Sequence, residues 1–198
     1  MPEEPDSGSG AQSARRSRRA ELGSIVAVVV SVIALGLNVY QTRIIQEQAR
    51  AGVWPYLSFG VETKESDTGA RYAFTLDNDG VGPAIIKSVR VTFDGRPVHT
   101  WLEVVKLIVG TATTENVGIA TVHGLVLPAG TNRDTKVEAI SVSDPAKAKI
   151  FIKANPRIRM EICYCSVYDD CWIISTTDGE DLRPVSRCKS AGDDEFRN

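Results

Sequence analysis

Residues 157–177 read RIRMEICYCSVYDDCWIISTT. The alternation from Arg157 to Val167 predicts a half-buried strand. Ile158, Met160, Ile162 and Tyr164 share one face; Arg157, Arg159, Glu161, Cys163 and Cys165 share the other. Tyr168-Asp169-Asp170 is turn-forming, so Cys171 to Thr177 returns as the hairpin partner. This hairpin makes the region an antiparallel β domain, and the chain on its N-terminal side repeats the pattern.

Tyr56 to Thr63 places Leu57, Phe59 and Val61 on one face, and Lys64 to Gly69 reads as a polar turn. Further strands are expected over Tyr72 to Leu76, Ile85 to Phe93, the Gly-interrupted Val117 to Val126, and Thr135 to Val142. Turn signals separate them at residues 78–84, Asp94 to Pro97, Pro128 to Thr131, and Asp178-Gly179. Two short helices are marked by their caps. Thr100 and Glu103 form a capping box for a helix burying Trp101, Val104, Val105 and Ile108. Asp144-Pro145 starts a basic helix from Pro145 to Ala154. About seven short strands with regular turns predict a mainly β fold, an Ig-like β-sandwich in the loose sense. The Ig pattern of two distant cysteines around a tryptophan is absent, which leaves the topology open.

Before this domain lies Leu22 to Tyr40, LGSIVAVVVSVIALGLNVY, which carries no charge. As a helix it spans about 28 Å, close to the hydrocarbon thickness of a bilayer. Helical structure would satisfy its backbone there. The expected transmembrane helix covers residues 21–41 and continues over 42–52 outside the membrane, stopping at Trp54-Pro55. A cleaved signal peptide is the rival reading, with Ala34-Leu35-Gly36 as a small-x-small site. The apolar run continues to Tyr40, longer than a signal core, and favours an uncleaved anchor.

The preceding residues 1–20 are expected to be a disordered cytoplasmic tail, rich in Glu, Pro, Ser and Gly before Arg15, Arg16, Arg18 and Arg19. These four arginines outweigh Arg43 and Arg50 beyond the span, which puts the domain outside the cytoplasm. Residues 53–190 form the expected extracytoplasmic domain, and the acidic residues 191–198 a frayed tail. The 198-residue chain suits one anchor and one domain, and its net charge of −2 argues against a nucleic-acid binder.

Three motifs carry a resemblance: Trp54-Pro55-Tyr56-Leu57, Asn78-x-Gly80-x-Gly82-Pro83-Ala84, and Cys163-Tyr164-Cys165-Ser166-Val167-Tyr168-x-x-Cys171-Trp172. With the anchor, the chain resembles uncharacterised bacterial inner-membrane proteins that have one N-terminal span and a small periplasmic domain. The resemblance implies an envelope location and no particular activity.

No stretch carries a catalytic, cofactor or metal signature. The Gly80-x-Gly82-Pro83 loop leads into a strand rather than a helix, so a structural turn with positive φ at the glycines is favoured over a phosphate cradle. His99 and His123 lack a ligand set, although Glu103 follows His99 by four residues. Asp169 and Asp170 fit a solvated turn better than paired catalytic carboxylates. The four cysteines are the most specific feature. Structural disulfides suit an extracytoplasmic domain; the alternatives are a thiol-redox pair at Cys163 and Cys165, or a four-thiolate metal site. Cys163 and Cys165 lie about 6.6 Å apart on one strand face, which disfavours a bond between them. The favoured pairing is Cys165–Cys171 and Cys163–Cys188. It requires a loop wider than two residues, since a two-residue turn would put Cys171 on the wrong face.

The functional expectation is a membrane-anchored binding or assembly module of the bacterial envelope; the alternative is an envelope thiol-redox or metal-handling protein. Ser24, Ala27, Ser31, Ala34 and Asn38 recur at spacings of three and four and form one seam along the anchor. Small and polar residues on one seam predict a parallel homo-oligomer in the lipid bilayer.

Overall fold

The computed structural model describes residues 9–66, 69–130, 136–177 and 182–197. The chain divides into two compact units, Met1–Ala49 and Arg50–Asn198. The described residues of the first belong to one long helix, α1 (Ser9–Ala51). Within it, Ser24–Ala51 is long and apolar enough to cross a membrane, its most apolar 18 residues having a mean hydropathy of 2.0. Of the tail expected to be disordered over residues 1–20, residues 9–20 are corrected here: they are helical and continuous with the span. From Ala11 to Glu21 the chain is rich in Arg and Ala and holds no Pro. Adding such residues to an existing helix avoids the nucleation cost. Residues 1–8 lie outside the described residues. The helix ends where expected, with the Val53 N–H donating to the Arg50 carbonyl at 3.2 Å.

The second unit is mainly β, two sheets around one apolar core. In chain order the strands are β1 (Leu57–Ser66), β2 (Gly69–Asn78), β3 (Ala84–Phe93), β4 (Arg96–Val98), β5 (Val117–Ile119), β6 (Val126–Leu127), β7 (Val137–Val142), β8 (Ile158–Cys165), β9 (Cys171–Ser175) and β10 (Arg183–Val185). The first sheet has the order β1-β2-β7-β5 and the second β10-β9-β8-β3-β4, with β6 pairing to β3. The sandwich with short helices is therefore as expected, with ten strands among the described residues in place of about seven.

Two local expectations are corrected. Lys64 to Ser66 extend β1, since Ser66 pairs with Gly69; residues 67–68 lie outside the described residues. Arg96 and Pro97 are strand, not turn: the turn is Asp94-Gly95, both with positive φ, and Phe93 pairs with Arg96. Pro97 is tolerated because β4 is an edge strand and needs no outward N–H there. The Asp178-Gly179 turn lies outside the described residues.

The helices follow their caps. In α2 (Trp101–Val109) the Thr100 hydroxyl accepts the Glu103 N–H at 3.2 Å, and Gly110 closes the helix at φ 87°. The Glu103 carboxylate accepts the His99 N–H at 2.7 Å. In α3 (Pro145–Ala154) the Asp144 carboxylate accepts the Lys147 N–H at 2.8 Å. Trp101, Val104, Val105, Ala148 and Phe151 are buried in the core that both sheets share. The α3 ring Phe151 lies 5.5 Å from Tyr72 on β2, and Phe74 lies 6.4 Å from Trp101.

On β8, Ile158, Met160, Ile162 and Tyr164 are all buried, as the alternation predicts. Burial pushes the Tyr164 phenol up to about 12, and its oxygen accepts the Leu57 N–H at 3.3 Å. Burial also raises the Tyr72 phenol, whose hydroxyl donates to Asn155 Oδ1 at 2.8 Å.

Candidate functional site

The opposite face of the second sheet carries the cysteines. Hairpin register pairs Cys165 with Cys171 and Cys163 with Ile173. Five residues, 166–170, bridge Cys165 and Cys171. The Ser166 N–H donates to the Asp170 carbonyl at 2.8 Å, and Asp169 takes φ 59° to close the loop. Because the loop is wider than two residues, directly opposed cysteines share a face, and Cys165–Cys171 is a disulfide. The second disulfide joins Cys163 to Cys188, with Cα atoms 5.6 Å apart. No cysteine is free. The Cys165 and Cys188 sulfurs are 3.7 Å apart, so the two bridges touch.

The Cys163–Cys188 bridge ties residues 186–191 across this face as a strap. A β-bulge at Lys87 lets both Lys87 and Ser88 of β3 lie on the strap side. Under the strap is a cavity of about 560 Å³ lined by Ser88, Arg90, Glu161, Ile173, Arg187 and Lys189, among others. Arg90 pairs with Glu161 across the strands at 3.6 Å, and Arg183 reaches the same carboxylate at 3.4 Å.

The strap continues into a latch that sequence reasoning missed. Glu195 is 4% exposed and Phe196 fully buried, which corrects the expected frayed tail at 191–198. Val89 stands opposite Ile162 of β8, but on the other edge of β3, between β6 and β4, its N–H and C=O meet no strand, and the latch fills that gap. The Val89 N–H donates to Glu195 Oε1 at 2.8 Å, and the Val89 carbonyl accepts the Phe196 N–H at 2.9 Å. Glu195 Oε2 accepts from the Ala191 N–H, Ser190 and Ser88 at 2.7, 2.9 and 3.1 Å. Burial would raise this carboxyl, but the four donors outweigh it and hold it below the usual carboxylate range. His123 Nε2 lies 3.6 Å from Oε1. The only sequence signal for the latch was a lone Phe in an acidic stretch.

The glycine loop is structural, as favoured, but for a different reason from the one expected. Gly80 and Gly82 do not have positive φ. Both let backbone approach backbone: a Cβ at Gly80 would overlap Tyr56 N and Trp54 O, and one at Gly82 the Val53 carbonyl. Asn78 organises the loop. Its Oδ1 accepts the Tyr56 and Gly80 N–H groups, each at 3.1 Å. Its Nδ2 donates to the Gly82 and Leu127 carbonyls at 2.9 and 3.0 Å.

The seam residues Ser24, Ala27, Ser31, Ala34 and Asn38 all lie exposed on α1. The Ser31 hydroxyl donates to the Ala27 carbonyl at 2.7 Å and the Asn38 amide to the Ala34 carbonyl at 2.8 Å. His99 and His123 are apart from the cysteines in role: one precedes α2, the other faces the latch. Compared with family models, curated proteins and solved structures, the chain matches none of them.

Proposed function

We propose that the protein is a binding or assembly module of the bacterial envelope, held at the inner membrane by its N-terminal helix with the β domain outside the cytoplasm. The observation that carries this reading is the pairing of all four cysteines in two disulfides within the domain beyond an apolar helix. Such pairs persist in oxidising compartments and are reduced in the cytosol. The arginines before the span support the same orientation. The seam on the helix supports a parallel homo-oligomer within the bilayer.

A thiol-redox or metal-handling role using Cys163 and Cys165 has one observation in its favour: the Cys165, Cys171 and Cys188 sulfurs lie within 4.8 Å of one another. Their engagement in disulfides weighs against it, since thiolates are the nucleophiles and the ligands. Two measurements test the reading. A reporter active only outside the cytoplasm, fused after Asn198, is expected to be active; activity of a cytoplasmic-only reporter there would refute the orientation. Thiol titration of the native protein is expected to find none free, and two or more would favour the redox or metal role.

A further inference from the structure

We propose that the cavity under the Cys163–Cys188 strap is a binding site for a phosphate group. Three observations combine there. The first is charge: Arg90 from β3 and Arg187 and Lys189 from the strap line one cavity, against Glu161 alone among the described acids of the lining. Glu161 is already matched by Arg90 and Arg183. Neither Arg187 nor Lys189 has an ion-pair partner among the described residues.

The second observation is an unpartnered donor. Arg90 Nε is buried and makes no hydrogen bond among the described residues, because the contact with Glu161 uses a terminal guanidinium nitrogen. Most buried donors in folded proteins find an acceptor, so an unsatisfied one on a cation that lines the cavity leaves that guanidinium with hydrogen-bonding capacity to spare. The third is shape. The cavity of about 560 Å³ falls within the range of small-ligand sites, and Ile173 gives it an apolar wall beside the charged groups. The disulfide holds the cations of the strap over those of the sheet, so the site is preorganised.

Charge and geometry favour phosphate over carboxylate. One guanidinium fork suffices for a planar carboxylate, whereas cations converging from strand and strap suit a tetrahedral group with several charged oxygens. The phosphate is either that of a lipid headgroup or that of a small soluble molecule. The site belongs to the folded domain, so binding by purified protein is independent of membrane orientation, and each proposal can fail alone.

The test uses the full-length chain in phosphorus-free detergent, titrated calorimetrically with inorganic phosphate. Saturable binding of one phosphate per chain is expected, with acetate competing at least tenfold less well. The double variant Arg187→Gln/Lys189→Gln is expected to weaken binding at least tenfold. Arg90→Lys keeps the charge, removes the Nε donor and is expected to weaken it as well. Lys106→Gln, on α2 outside the cavity, should change nothing. If phosphatidylglycerol added to the micelles abolishes phosphate uptake, the natural source is a headgroup; if it does not, the source is soluble. Absence of saturable binding overturns the proposal. So do equal competition by acetate, undiminished affinity in the strap and Arg90 variants, and an equal loss in Lys106→Gln. Unchanged melting temperatures of the variants confirm that a loss reflects the site rather than the fold.

Discussion

Phe196 packs edge-on against Trp101, with ring centroids 5.1 Å apart and planes at 72°. Both rings are fully buried. A residue in a short acidic segment thus closes the core over the first turn of α2. Phe196→Ala is expected to destabilise the domain by about 3–5 kcal/mol, the usual cost of emptying a buried aromatic site. Urea unfolding followed by tryptophan fluorescence measures it; a loss below about 1 kcal/mol, the scale of a surface change, would mean the ring does not fill the core.

Glu195 makes stability depend on pH. Its four hydrogen-bond donors outweigh burial and hold its folded-state pKa below the ordinary glutamate value. The stability it adds is therefore complete above the unfolded value and is lost as pH falls through the folded one. Glu195→Gln should lower stability at pH 7 and flatten the acid limb below about pH 4. Unfolding curves of both proteins between pH 7 and pH 3 decide this, and parallel curves would contradict it.

Asn78 uses all four of its hydrogen-bonding positions in the glycine loop. Asn78→Asp puts a carboxylate oxygen against two carbonyl oxygens and should cost several times the roughly 1 kcal/mol of an ordinary hydrogen bond. Gly82→Ala should cost about 1–3 kcal/mol by overpacking against the Val53 carbonyl. Denaturation midpoints of both variants check these values; a wild-type midpoint for Gly82→Ala would show that the loop yields.

Self-association of the anchor tests the seam. Ser31→Leu and Asn38→Leu are expected to weaken it in a membrane reporter assay, whereas Val29→Leu, off the seam, is not. Ser31 and Asn38 already donate to carbonyls of their own helix. Close approach of small residues, rather than polar bonding across helices, should therefore dominate, and Ala27→Leu should be at least as damaging as Asn38→Leu. Equal signals from all four variants would leave the seam without a role.

Elements with local chemistry were legible in the sequence. Asp144-Pro145 set the start of α3, Thr100 and Glu103 that of α2, and the alternation from Ile158 to Tyr164 gave the core face of β8. The favoured cysteine pairing is the one observed: strand geometry disfavours Cys163–Cys165, and a loop wider than two residues lets Cys165 meet Cys171. What escaped depends on distant partners. Phe196 shows no periodicity, and its burial follows from a gap in the edge of β3 that exists only after β4 and β6 have paired. Arg96-Pro97 looks like turn because Pro opposes central strands, and only the edge position of β4 admits it. The strap cavity was equally hidden: Arg90 and Arg187 lie far apart in sequence and meet only through Cys163–Cys188.

The latch also fixes the order of events during biosynthesis. Ser88 and Glu195 are 107 residues apart, and Phe196 fills the socket beside Trp101. A chain made or exported N-terminus first keeps that socket open until residues 192–197 have emerged. Until then an unfilled apolar surface is available to chaperones and proteases. Products interrupted before residue 192 lack Glu195 and Phe196 and so keep that socket open.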